Sequence, residues 1–251
     1  MIRRLAWPAV LLAGALSLAA CSKPAQTGAA APDSEAFHHQ VVDYLLRHPQ
    51  VIDEAAAKVE QQRHDLALAA SAKAIAQRRA AIERDPRDFV ANPQGKVTVV
   101  EFFDYRCPYC KAALPQLQAL IRQNPDIRFV FKEFPILPDA DGRIGVSLRA
   151  SMAAISAGRS GKYQPVHDAM MAAASVDDET IAKALKDNGI DPATAIATTD
   201  DDRHVQDVRD LAVAIGATGT PSFVIGDTLV EGNRMDQLAT AIAEARKSVK
   251  S

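Results

Sequence analysis

Three cysteines occur in the 251-residue chain, and two of them are spaced for chemistry: Cys107-Pro108-Tyr109-Cys110. Thiols one helical turn apart share a face and can close a disulfide with little backbone movement. Pro108 favours the first position of a helix, which places Cys107 at a helix N-terminus, where unpaired amides and the macrodipole stabilise an anion. A thiol held there drops below its usual pKa of about 8.5 and becomes a nucleophile. The same motif is half of a zinc site, but a second ligand pair is missing. No further cysteine pair exists, and His38, His39, His48, His64, His167 and His204 include no His-x3–5-His spacing. Thiol–disulfide exchange is therefore the expected chemistry, with no metal and no cofactor beyond a redox-active Cys107–Cys110 disulfide.

The flanking residues must deliver that pair. Lys96 to Phe103 (KVTVVEFF) is rich in β-branched and aromatic residues and short enough for a buried strand, and helical periodicity resumes through Leu114, Leu117, Leu120 and Ile121. Glu101 is a carboxylate inside this apolar strand. It is read either as an edge residue reaching solvent or as a buried acid that moves a proton or tunes the thiolate. Ile127 to Phe134 (IRFVFKEF) forms the next strand, and its Lys132 is the expected partner of Glu101. Asp104, Tyr105 and Arg106 read as loop residues that shape substrate access.

Downstream, Pro135, Pro138 and Gly142 break the pattern. Only helical signals follow: Ile144–Ala157, His167–Ala174, Asp178–Asn188, Pro192–Thr198 and Arg203–Ile215. Asp200-Asp201-Asp202 reads as a solvated helix start. Gly219-Thr220-Pro221 is a turn entering a strand at Ser222–Ile225, which pairs as a hairpin with Thr228–Val230 around Gly226-Asp227 before a final helix from Met235.

Composition narrows the class. Apolar residues form 48% of the chain and charged residues 24%, which is a globular balance, and 29 basic against 31 acidic side chains leave no nucleic-acid footprint. The third cysteine lies apart, at the end of a targeting segment. Arg3 and Arg4 precede an apolar run from Leu5 to Ala20 that is short of the ~20 residues needed to span a bilayer. The run ends Leu18-Ala19-Ala20-Cys21, which resembles a bacterial lipobox and makes Cys21 the candidate lipidated N-terminus; an ordinary signal peptide cut nearby is the alternative. Residues 22–34, with Pro24, Gly28 and Pro32, have the composition of a tether.

Between tether and strand lie two helices. Val41, Val42, Leu45 and Leu46 mark a short one that Pro49 closes; a longer one runs from Val51 to about Arg84. Ile52, Val59 and Leu66 recur every seven residues, as do Leu68, Ile75 and Ile82, but the two seams are offset, which fits a continuous coiled coil poorly. Such a helix either lies on its own domain or pairs with copies of itself. Asp85-Pro86 and Asn92-Pro93-Gln94-Gly95 mark the boundary that follows.

VVEFFDYRCPYC, followed far downstream by GATGTPSFVIG, resembles the DsbA-like thiol:disulfide oxidoreductases of bacterial envelopes, over roughly residues 88–250. The resemblance implies a thioredoxin-like α/β fold carrying an inserted all-helical domain, with an N-terminal helical arm in front. It also implies that Pro221, after Thr220, is in cis against the active-site pair, and that the chain before it receives a substrate peptide as an added strand. Cys107 then forms the mixed disulfide and Cys110 resolves it, with Pro108, Tyr109, Thr220, Pro221, Glu101 and Lys132 in support. The segment Val42 to Ile52 (VDYLLRHPQVI) further resembles the ScsC-like, copper-tolerance branch, some of whose members oligomerise through such an extension.

The expected organisation is thus a lipoprotein-type signal peptide (1–20), a tether (21–34), a helical arm and candidate oligomerisation element (35–87), a thioredoxin-like domain (88–141 and 218–251) and a helical insertion (142–217). The expected location is the periplasm, with a lipid anchor to the membrane facing it. The partners are exported cysteine-containing proteins and a membrane redox protein that resets the pair. Tyr109 stands where strongly oxidising relatives carry histidine, and the loss of a positive charge leans the activity toward isomerase or reductase. A monomeric dithiol oxidase is the alternative, and a non-catalytic peptide- or metal-binding lipoprotein is the rival class.

Overall fold

The computed structural model describes residues 34–195 and 197–250. The signal segment, the tether before Ser34 and Cys21 lie outside the described residues. By internal contacts the chain divides into a unit up to Ala57 and a second unit from Lys58 onward.

In the first unit, helix α1 (Glu35–Arg47) starts where the Ser34 hydroxyl accepts from the Phe37 amide, and it ends before Pro49, with the His48 amide donating to the Tyr44 carbonyl. None of its residues is buried. Val42, Tyr44, Leu46 and Ile52 are all exposed apolar side chains. Helix α2 (Gln50–Glu83) begins in this unit and continues into the second.

The second unit is built on a five-stranded mixed sheet, β1 (Phe89–Ala91), β2 (Val97–Phe103), β3 (Ile127–Glu133), β4 (Ser222–Ile225) and β5 (Thr228–Glu231), in the order β1-β3-β2-β4-β5. β2 and β3 run parallel through the crossover helix α3 (Pro108–Gln123); the other pairs are antiparallel. Between β3 and β4 come α4 (Gly145–Gly158), α5 (Tyr163–Ala172), α6 (Asp178–Asp187), a 3₁₀ turn at Pro192–Thr194 and α7 (Thr199–Ala214); α8 (Met235–Lys250) ends the fold. This is the thioredoxin-like fold with inserted helices that the resemblance implies. The three-residue strand β1 carries too little pattern to be read in advance. The segment before α7 that reads as helical closes as a single 3₁₀ turn.

Alternation along the strands sorts two cores. Val99, Phe103, Phe129, Phe131, Phe223 and Ile225 face α3, α5 and α8, while Val100, Phe102, Val130, Phe134 and Val224 face α7 and the end of α2. The later seam of α2 is buried here at Ile75 and Ile82, whereas its first member Leu68 is exposed along with Val59 and Leu66, so the packed stretch of the helix begins beyond Leu68. Ser71 donates to the Ile215 carbonyl at 2.7 Å, and Arg128 donates to the Glu83 carbonyl at 2.6 Å, fixing that stretch on the sheet. Gly95 is required at the entry to β2: a Cβ there would lie 2.2 Å from the Arg128 amide nitrogen. No helix of the described residues is long and apolar enough to cross a membrane.

Candidate active site

β2 ends at Phe103, and the chain turns through Asp104-Tyr105-Arg106 to reach Cys107, which occupies the N-cap of α3 with Pro108 at the first helical position. Cys110 follows one turn along, fully buried; Cys107 keeps 4% of its surface, and Tyr109 between them is exposed. Both cysteines are free thiols. Across the site the Thr220–Pro221 peptide is cis, and the Cys107 thiol donates to the Thr220 carbonyl at 3.1 Å. Residues more than a hundred positions apart thus meet at one sulfur.

The two thiols are electrostatically unequal. Hydrogen bonding from the Cys110 thiol, above all, holds the Cys107 thiol down at about 6, against an opposing effect of burial; the Thr220 side chain and the backbone amides of Cys110 and Tyr109 add to the lowering. Those amides belong to the first turn of α3, so the helix N-terminus acts as the spacing suggested. Burial pushes the Cys110 thiol far up, and hydrogen bonding to Cys107 and the charges of Glu101 and Cys107 push it further. One sulfur is therefore a thiolate at neutral pH while the other keeps its proton.

Glu101 lies on the same sheet face, 1% exposed, and is no edge residue reaching solvent. Burial, then the charges of Cys107 and Glu133, raise its carboxyl to about 8. A cavity of about 10 Å³ lies between Glu101, Cys110 and His167, the smallest space that admits one water. Glu101 and Cys110 are thus brought together beneath Cys107.

Lys132 is not. Its register partner on β2 is Phe102, so it points to the opposite face from Glu101. There its ammonium lies 2.6 Å from Asp88 and donates to the Ala81 carbonyl at 2.7 Å, and His204 Nε2 approaches Asp88 at 3.2 Å. The expected Glu101–Lys132 pair fails because successive strand residues face opposite sides.

The loop before Cys107 also departs from expectation. Asp104 and Tyr105 are buried. Asp104 accepts from the amides of Arg106 (2.8 Å), Ile136 (2.8 Å) and Leu137 (3.0 Å) and from the Ser147 hydroxyl (3.0 Å), so it ties the cysteine loop to the start of the helical insertion. Lys111, next to Cys110, donates to the carbonyls of Met170 (3.0 Å) and Ala173 (2.9 Å) at the end of α5. The acidic run starts α7 with Asp200 and Asp202 exposed as expected, but Asp201 is buried, forms a reciprocal cap with Thr198 and accepts from Arg159 at 2.8 and 3.0 Å. Sequence reasoning also passed over Glu133, a second acid inside an apolar strand, although the signal is the one that singled out Glu101. Among the described residues no cluster of His, Cys, Asp and Glu is arranged to hold a metal.

Comparison with known proteins agrees with this geometry. Residues 98–243 match the DSBA-like thioredoxin domain, and residues 33–65 match the copper resistance protein ScsC N-terminal domain. A thioredoxin-like oxidoreductase from Silicibacter pomeroyi is 37% identical and superposes with a TM-score of 0.62, covering 67% of this chain and 98% of that one. A linker-deletion variant of Proteus mirabilis ScsC is 27% identical with a TM-score of 0.63, over 88% of this chain and 100% of that one. The Na(+)/H(+) antiporter NhaA 1 of Salinispora arenicola is 34% identical over 118 residues, which is 47% of this chain; the chain spans only 17% of that much longer relative. The chain belongs to the DsbA-like thioredoxin domain family, a family of disulfide oxidoreductases, and joins that domain to an N-terminal segment of the ScsC type.

Proposed function

We propose that the chain exchanges disulfides with exported cysteine-containing proteins through Cys107 and Cys110. The carrying observation is the inequality of the two sulfurs. The Cys107 thiolate attacks one sulfur of a substrate disulfide, forms a mixed disulfide and expels the other sulfur as a thiolate. Cys110 then gives its proton to the Glu101 carboxylate and attacks Cys107, releasing the second substrate thiolate. Substrate is reduced by two electrons and the pair is oxidised; a membrane redox protein supplies two electrons to reset it. Run in reverse, the cycle oxidises a substrate dithiol. In isomerisation the freed substrate thiolate attacks the mixed disulfide, or another substrate bond, and the pair returns to the dithiol.

The direction leans to isomerase or reductase. A Cys107 thiol at about 6 is closer to the thioredoxin value of about 7 than to the value of about 3.5 in the strongly oxidising DsbA. Stabilising the thiolate stabilises the reduced enzyme, so a smaller depression means a weaker oxidant. The exposed apolar side chains of α1 support self-association through residues 35–87, which would set several active sites around one misbonded substrate. The lipobox-like end at Cys21 supports a lipid anchor facing the periplasm.

Insulin reduction and scrambled-ribonuclease refolding test the reading. Both require Cys107, so Cys107→Ala abolishes them. Equal activity in that variant overturns the assignment in favour of a binding protein. The potential against glutathione discriminates direction: about −180 mV supports reshuffling, and about −120 mV supports the monomeric oxidase. Light scattering on the chain without its tether reports self-association, and a monomeric mass removes it.

A further inference from the structure

Glu133 is a second buried acid on the face that carries Glu101. It pairs in register with Phe103, two positions beyond the Glu101–Phe131 pair, so the two carboxyls are diagonal neighbours on adjacent strands. Glu133 is 2% exposed. Its Oε1 accepts from the Tyr163 hydroxyl at 2.6 Å and from the Tyr105 hydroxyl at 3.0 Å. The Tyr105 oxygen also lies 3.1 Å from His167 Nδ1. A hydroxyl has one proton to donate, so when Tyr105 donates to Glu133, His167 must donate to Tyr105. His167 is fully buried and held neutral by burial, at about 3, which is compatible with a single proton carried on Nδ1. His167 in turn borders the small cavity that holds Glu101 and Cys110.

We propose that Glu133, set by Tyr105, Tyr163 and His167, is a positioning residue whose charge decides when Glu101 can take the proton of Cys110. The inference rests on the exchange cycle above, in which Cys110 resolves the mixed disulfide through Glu101. Two carboxyls held close in a buried site cannot both ionise easily, so the pair titrates as a unit.

Burial raises the Glu133 carboxyl to about 8, opposed by the hydroxyls of Tyr163, Ser151 and Tyr105, and Asp104 adds a like charge. The remaining ionisable groups around the pair are distributed by element. Lys111 on α3 lies beside Cys110, and Asp168 on α5 borders the small cavity. On the far side, Arg87, Asp88, Arg159, Asp201 and His204 line a cavity of about 430 Å³ together with Glu133. Arg87 and Arg159 are ion-paired to Asp85 and Asp201, and Lys132 lies on the opposite sheet face.

The test isolates the resolving step. Reduced protein is mixed with a chromogenic aryl disulfide, from which the Cys107 thiolate expels one aryl thiolate to form the mixed disulfide, and release of the second aryl thiolate by Cys110 is followed by stopped flow from about pH 5 to 9. In the native protein, release requires Cys110 and shows one rising inflection. Glu133→Gln keeps an oxygen to accept both tyrosine hydroxyls but removes the charge, so Glu101 ionises at lower pH and the inflection moves down by about one unit. Tyr163→Phe weakens the ionised form of Glu133 and moves the inflection in the same direction by less, which serves if Glu133→Gln does not fold. In a Glu101→Gln background, Glu133→Gln produces no shift. An unmoved inflection in Glu133→Gln, or in Tyr163→Phe where only that variant folds, with release still dependent on Cys110, overturns the role of Glu133 alone. Release that persists in Cys110→Ser overturns the exchange cycle, and this inference with it.

Discussion

Cys110 is the group that depresses the Cys107 pKa most, so replacing it is the sharpest test of the site's electrostatics. In Cys110→Ala the backbone amides of Tyr109 and residue 110 remain, burial of Cys107 remains, and only the thiol donor is lost. A hydrogen bond to a charged acceptor is worth about 1.5–3 kcal/mol, and 1.36 kcal/mol corresponds to one pKa unit, so the Cys107 titration rises by about 1–2 units. Starting from about 6, the midpoint moves to about 7–8, and the ionised fraction at pH 7 falls from about nine-tenths to between about a tenth and a half. Thiolate absorbance in the ultraviolet, followed on reduced protein against pH, measures this directly. The native protein shows one thiolate step near neutrality, because burial keeps Cys110 protonated far beyond it. Cys110→Ser retains an O–H donor and titrates close to native. A Cys110→Ala midpoint at or below the native one would refute the reasoning and place the cause in the helix N-terminus alone.

Three further outcomes follow from the packing. Lys132→Met leaves Asp88 buried without its ammonium partner and costs about 3–5 kcal/mol in urea unfolding, while the Cys107 titration is unmoved, because the two lie on opposite sheet faces. The Glu101 carboxyl rises from 4.5 unfolded to about 8 folded. Its contribution is therefore fully present below pH 4.5 and lost as pH climbs through 8, so reduced Glu101→Gln gains about 4 kcal/mol over native at pH 8 and little at pH 4. Asp201→Ala removes a capping box and the partner of Arg159 and costs about 1–2 kcal/mol by thermal or urea unfolding, without changing insulin reduction.

The chemistry of this chain was legible in a few local patterns. Cys-Pro-Tyr-Cys after a β-branched run carries its own geometry, since proline at the first helical position places one thiol at the amides and the other a turn behind it. Hydrophobic alternation and the Gly, Pro and Asp breakers set β2 through β5 and the helices within a few residues, because those signals depend on neighbours in sequence. The short β1 escaped, since three residues display no period. The offset seams of α2 were visible as a misfit, but which stretch of the helix is packed depended on a sheet the helix cannot specify.

Charged residues are where local pattern ran out. Glu101 and Lys132 are both ionisable groups in apolar strands, and nothing in either strand alone says which face each will share; register gives Lys132 to Asp88 and leaves Glu101 beside Glu133. Tyr105, Asp104 and Asp201 look like loop and surface residues because their partners come from segments tens of residues away. The sequence by itself determined the spacing of the two thiols, their helix placement and the order of the elements, all of which rest on interactions within about one turn or one strand. Only the tertiary structure decided which sulfur keeps its proton and which acid stands beneath it. Those properties arise from burial and from charges brought together across strands, and both exist only once the chain has closed on itself.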